Sequence, residues 1–197
     1  DEINWTADGW PVVNQRKGPS YMAKRPLGTS YVQKASGLPY NGWICPRTID
    51  SSRITVFEDG CLQIRGEAMD LNDRACGSLL VKRQPDFNFT CEYEMWAPGK
   101  DGYQDAGLTL YYDENTYIKF GIKGGCLFVE EYVDNAYIRR QEGKFVPGTG
   151  PVFLKIVTEG LNRTFYVNQE KFCTFEGVTS ICSEGLKKGK RFTGAMT

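Results

Sequence analysis

The sequence contains no histidine. That absence removes the commonest general base and the commonest zinc ligand together, so serine–histidine and cysteine–histidine catalysis are excluded. Net charge is missing as well. The 24 Lys and Arg residues balance 24 Asp and Glu, leaving no global field to gather nucleic acid, an anionic membrane or an acidic partner. No apolar run approaches the roughly 18 to 20 residues of a membrane helix, and the first residues lack the basic-then-apolar order of a signal peptide. The sequence leaves the compartment open between cytoplasmic and secreted. There is no C-x-x-C pair either: Cys45, Cys61, Cys76, Cys91, Cys126, Cys173 and Cys182 stand singly, against a zinc site or a redox motif. An odd, unclustered set reads as buried small apolar residues in a reducing setting, with one or two bridges left open. The N-x-S/T triplets at Asn4, Asn88 and Asn162 lean towards export, but such triplets also arise by chance.

A long 3.6-residue apolar period is also lacking, so little helix is expected. What is present is a succession of short strands and turns in a chain of 197 residues, long enough for one domain with a real core. "ITVFEDGCLQIRG" places two alternating arms around Asp59-Gly60, a hairpin signal. "FNFTCEYEM" sets Phe87, Phe89, Cys91, Tyr93 and Met95 on one face and Asn88, Thr90, Glu92 and Glu94 on the other, as in a half-buried antiparallel strand. "AGLTLYY", "TYIKFGI", "CLFVEEYV" and "AYIRRQ" follow as a meander whose turns use residues that tolerate positive φ. "VFLKIVTEG", "RTFYVNQ" and "KFCTF" repeat the pattern. The expected fold is all-β, a sandwich or jelly roll of two antiparallel sheets.

The opening stretch "DEINWTADGWPVVNQRKGPS" differs in kind, with two tryptophans, two prolines and no period that predicts a regular element. Residues 1–35 read as a linker or strap and residues 36–197 as the sandwich. Trp5 and Trp10, so close to a terminus, look like residues made to pack against something else.

With histidine gone, carboxylates are the catalytic groups to weigh, in the manner of a glycosidase pair. The nearest candidate is "VEEYVDN", but Glu131 and Asp134 are three apart and fall on opposite faces of a strand. Glu130, Glu131 and Asp134 therefore read as a solvated strand edge running into a turn, and no catalytic residue is assigned. "DLND", with Asp70 and Asp73, and "YYDENT" supply oxygens for a structural calcium, but neither follows a calcium-loop pattern, so no cofactor is expected beyond that weak possibility. Loop aromatics are a further signal: Trp43, Trp96 and Tyr103 are candidate stacking platforms for a sugar ring, against the plainer reading of core packing.

From "GSLLVKRQPDFNFTCEYEM" through "AGLTLYYDENTYIKFGI", together with "RFTGAMT" near the C-terminus, the chain resembles the C-terminal concanavalin-A-like β-sandwich of glycoside hydrolase family 43. "WTADGWPVVNQRKGPS" is similar to the segment that follows the five-bladed propeller of those enzymes. The resemblance implies a non-catalytic accessory module, with the catalytic propeller of the same polypeptide as partner and plant hemicellulose oligosaccharides of the xylan or arabinan type as substrate. It implies that Trp5 and Trp10 contact the propeller, and that Phe192, in the F-T-G-A segment, reaches the propeller's pocket. The family pattern has a further strand after F-T-G-A, which implies an open sheet edge near Thr197. An independent carbohydrate-binding module acting through Trp43, Trp96 and Tyr103 is the alternative expectation.

Overall fold

The computed structural model describes residues 3–17, 43–46, 53–58, 61–84, 86–96, 104–146 and 148–181. The chain divides into two compact units, residues 1–34 and residues 35–197.

In the first unit, β1 (Ile3–Trp5) pairs antiparallel with β2 (Pro11–Val13), with Trp5 opposite Pro11. This overturns the expectation that the opening stretch forms no regular element. The reason is local turn chemistry. Thr6 closes the loop through its N–H to the Trp10 carbonyl (2.9 Å) and through its Oγ1, which accepts from the Trp10 N–H (2.9 Å). Gly9 sits at φ +85°, a conformation that costs other residues strain. A 3-10 turn at Asn14–Arg16 follows.

The second unit is a β-sandwich. One sheet has the order β11-β10-β9-β8 and consists of β8 (Asp105–Asp113), β9 (Thr116–Lys123), β10 (Cys126–Val133) and β11 (Ala136–Lys144), an uninterrupted antiparallel meander. The other has the order β14-β13-β12-β7 and consists of β7 (Asn88–Met95), β12 (Val152–Glu159), β13 (Asn162–Val167) and β14 (Glu170–Phe175). Two small ribbons precede them: β3 (Trp43–Ile44) with β6 (Val81–Lys82), and β4 (Ile54–Val56) with β5 (Leu62–Ile64). The latter is the expected hairpin, whose Asp59-Gly60 tip lies outside the described residues.

Alternation assigns the faces. Leu110, Ile118, Phe120, Ile122, Leu127 and Val129 of the first sheet meet Met95, Val152, Leu154, Ile156, Phe165 and Phe175 of the second in one core. Phe120 meets Phe165 edge-on at 5.3 Å between ring centres, a favoured aromatic geometry. Each such side chain contributes about 1.5–3 kcal/mol through burial, so the core rather than any single polar contact holds the sheets together. Turn residues set the meander's register: Asp134 and Asn135 both take positive φ (48° and 67°), the twist a two-residue hairpin needs.

The outward face of β8–β11 is not left to water. Residues 67–82 cross over one end of it, so that Leu71, Cys76, Leu79 and Val81 form a second core with Tyr111, Tyr117 and Tyr132. The Glu67 carboxylate organises this crossing by accepting the backbone N–H groups of Gly77 and Ser78.

Between Glu131 and Tyr132 the pairing with β11 shifts by one residue: Tyr132 lies opposite Tyr137, but Glu131 lies opposite Arg139, leaving Ile138 as a bulge.

Cys45, Cys61, Cys76, Cys91, Cys126 and Cys173 are thiols, and Cys182 lies outside the described residues. The expectation of buried cysteines holds only in part, because Cys61 and Cys126 are exposed. Burial pushes the Cys91 and Cys173 thiols up to about 11, so both are protonated and weakly nucleophilic at neutral pH.

Candidate functional site

The candidate residues read from the sequence fall in several places. Trp5 and Trp10 lie on the N-terminal hairpin with 71% and 70% of their surface exposed, and neighbouring Ile3 and Val13 are exposed as well. Trp96, directly after β7, is 72% exposed. Trp43 is half-buried on β3 opposite Lys82, with a buried indole N–H that has no hydrogen-bond partner among the described residues. Tyr103 and Phe192 lie outside the described residues. Trp43 and Trp96 stand on different elements, and neither lines the clefts on the outward face of β8–β11.

Among the described residues of the second unit, that outward face gathers a row of tyrosines and a set of ion pairs. Register places its side chains in rows across the strands. Tyr111, Tyr117, Tyr132 and Tyr137 are successive cross-strand neighbours, with ring centres 6.4, 4.9 and 4.9 Å apart. The next row runs Thr109, Lys119, Glu130, Arg140, and the one beyond it Gly107, Gly121, Phe128, Glu142. The two glycines are required by backbone approach: a Cβ on Gly107 would lie 2.0 Å from the Phe120 carbonyl oxygen.

Lys119 is the hub. Its ammonium donates to Asp70 on the crossing segment (2.7 Å) and lies 2.8 Å from Asp105 on β8. Burial alone would pull its pKa down, but the hydrogen bonds and charges of the two carboxylates outweigh that and raise it. Burial likewise pushes the Asp70 carboxyl up, and the Lys119 ammonium together with the Leu71 N–H brings it below the usual value. Glu130 behaves oppositely. Burial raises its pKa more than Arg140, 3.2 Å away, and Lys119 lower it. Arg140 also pairs with Glu142, to which its Nε donates at 2.9 Å.

Two hollows flank Lys119. One, of about 120 Å³, lies beneath the crossing segment beside Gly107 and Gly121. The other, of about 320 Å³, opens between Lys119, Glu130, Tyr137 and Arg140.

The carboxylates weighed in the sequence are placed differently from expectation. Glu130 and Glu131 are buried, not a solvated edge, because β10 is an inner strand with a neighbour on each side. They point to opposite faces. Glu131 faces the sandwich interior, where it accepts from Arg139 and from Ser180 Oγ. Of the oxygens weighed for calcium, Asp70 is engaged by Lys119, and Asp73 Oδ1 accepts the Ala75 N–H at 2.7 Å to close a turn. Asn88 and Asn162, from the N-x-S/T triplets, cap loops by accepting the Gly160 and Gly177 N–H groups. Lys119 escaped notice in the sequence, although a lysine between Ile118 and Phe120 in an alternating strand is a signal for a charge held on the other face.

Comparison with known proteins accords with the fold. No curated protein matches the chain in sequence. Among solved structures, the GH43 protein BlXynB of Bacillus licheniformis is 26% identical, with a TM-score of 0.72. A xylan beta-1,4-xylosidase from Bacillus halodurans C-125 (20% identical, TM-score 0.73) and a GH43B protein of a Bacteroides ovatus xyloglucan locus (21%, 0.68) share the fold. Each match covers 98% of this chain and 41% of the other, so the chain spans less than half the length of these proteins. Residues 38–197 match the family described as "Beta xylosidase C-terminal Concanavalin A-like domain". The chain belongs to that family.

Proposed function

We propose that the chain is a non-catalytic accessory module of a family 43 glycoside hydrolase acting on xylan- or arabinan-type polysaccharide, supporting or completing the active site of a catalytic propeller in the same polypeptide. The observation that carries this reading is the pairing of near-complete coverage of this chain with 41% coverage of a GH43 protein and of a xylan beta-1,4-xylosidase. The exposed Trp5 and Trp10 supply the matching surface: isolated indoles on a small hairpin suit a contact with a larger body. Phe192 is the residue assigned to the sugar pocket, and residues 1–35 are the strap that leads from the propeller.

The test uses the intact enzyme. Phe192→Ala lowers kcat/KM at least tenfold on a xyloside, and Trp5→Ser with Trp10→Ser lowers the melting temperature of the two-domain protein. Unchanged turnover and melting in both variants, or hydrolysis by the 197-residue chain alone, would overturn the reading.

A second reading is an independent carbohydrate-binding module using Trp43, Trp96 and Tyr103, favoured by the exposure of Trp96. Loss of oligosaccharide binding in Trp96→Ala would support it.

A further inference from the structure

We propose that the outward face of β8–β11 holds one ring of a neutral saccharide in the cleft between Lys119, Glu130, Tyr137 and Arg140, which neither Trp43 nor Trp96 lines. The proposal does not depend on the accessory role, since it concerns what this face binds whether or not a propeller is attached.

Charge decides the ligand class. The cleft is lined by Asp70, Asp105, Glu130 and Glu142 against Lys119, Lys123 and Arg140. An anion would meet a surplus of carboxylates, and a metal cation would meet ammonium and guanidinium groups already seated in ion pairs. A neutral hydroxyl suffers neither penalty. It can donate to a carboxylate and accept from an adjacent cation at once, and a sugar presents several such hydroxyls at fixed spacing. Alternating Lys119, Glu130 and Arg140 across three adjacent strands supplies donor, acceptor and donor in one row, about 4.8 Å per strand step.

Acceptor capacity remains. Apart from its contact with Arg140 at 3.2 Å, the Glu130 carboxylate has no side-chain hydrogen bond among the described residues. Its neutralising partners are shared, since Arg140 also serves Glu142 and Lys119 also serves Asp70 and Asp105. A ligand hydroxyl could donate to this buried carboxylate, whose closest cationic partner is Arg140. The rising pKa of Glu130 is consistent with that sharing of partners.

An apolar platform is present beside these groups. Tyr137 ends the tyrosine row with 52% of its surface exposed, held edge-on against Tyr132. A ring fixed in this way stacks on the C–H face of a sugar with little entropy to lose. The cavity volume of about 320 Å³ lies at the small end of ligand sites, roughly 300–1,000 Å³. That suits one sugar ring rather than a long chain.

The test is calorimetric titration of the 197-residue chain with xylobiose, repeated on Tyr137→Ala, Tyr137→Phe, Glu130→Gln and Trp96→Ala, with melting temperatures recorded for each. Saturable binding is expected, weakened at least tenfold in Tyr137→Ala and Glu130→Gln and unchanged in Tyr137→Phe and Trp96→Ala. Retention of the aromatic ring in Tyr137→Phe separates stacking from misfolding. No saturable binding up to 10 mM xylobiose overturns the proposal, as does binding that survives both Tyr137→Ala and Glu130→Gln or is lost in Trp96→Ala alone.

Discussion

Ser180 Oγ donates to Glu131 Oε1 at 2.5 Å inside the sandwich, joining the segment after β14 to the centre of the opposite sheet. Arg139 completes the tie. It donates to Glu131 and to the Glu176 carbonyl (2.9 Å), and its guanidinium lies 5.0 Å from the centre of the Phe175 ring. Glu131 is 1% exposed, so both partners are needed to offset the cost of burying its carboxylate.

Glu131→Ala should therefore destabilise the chain by about 2–3 kcal/mol, below the full cost of orphaning a buried charge because Arg139 can turn to water. Ser180→Ala should cost about 1 kcal/mol. Urea unfolding measures both. Losses under about 0.5 kcal/mol in both variants would show that the network adds nothing to the stability the core supplies.

The Lys119 hub predicts a pH window. Asp70 is held below its ordinary pKa of 3.8, so its pairing stabilises the fold above that value and the gain is lost as pH falls through the folded pKa. Lys119 is raised above 10.5, so its contribution is full below that value and disappears as pH rises through the folded pKa. Wild type and Lys119→Met should thus differ most near pH 7, by about 1–2 kcal/mol after allowing for the partial exposure of Asp70. The gap should close as pH falls below 3.8 and as it rises above 10.5. A gap that widens on acidification would show that Asp70 is not the group being neutralised.

Tyr117 offers the opposite case. It is buried in the middle of the tyrosine row, and its hydroxyl has no hydrogen-bond partner among the described residues. Burial raises its pKa strongly. Tyr117→Phe keeps the stacked ring and removes the unsatisfied group, so it should be neutral or stabilising by up to about 1 kcal/mol. Destabilisation beyond 1 kcal/mol in thermal melting would reveal a partner for that oxygen.

Much of this fold is legible in the sequence because strands β7 to β14 carry their face assignment in period-two alternation and their turns in Gly, Asn and Asp. The hairpin at β4 and β5 and the meander from Ala106 to Gln141 lie where alternation and turn residues put them. Phe87 departs from its expected face: it precedes the first paired residue of β7 and is exposed. The cleft around Lys119 was not legible, for two physical reasons. Strand order is invisible to local pattern, and only β10's inner position turns Glu130 and Glu131 from edge charges into buried ones. The crossing of residues 67–82 is also long-range, bringing Asp70 to Lys119 across 49 positions with no periodic signal. The N-terminal hairpin was missed because three-residue strands are too short to show alternation, and its order resides in the Thr6 turn.

The bulged Ile138 acts as a change of reading frame written into β11. Tyr137 and Arg139 are two apart and would ordinarily share a face, yet one extends the tyrosine row outside while the other meets Glu131 inside. One unpaired residue thus lets a single strand serve both layers. Removing position 138 would be no small trim: every side chain on one flank would exchange inside for outside. A deletion here would therefore disturb the cleft and the interior tie together.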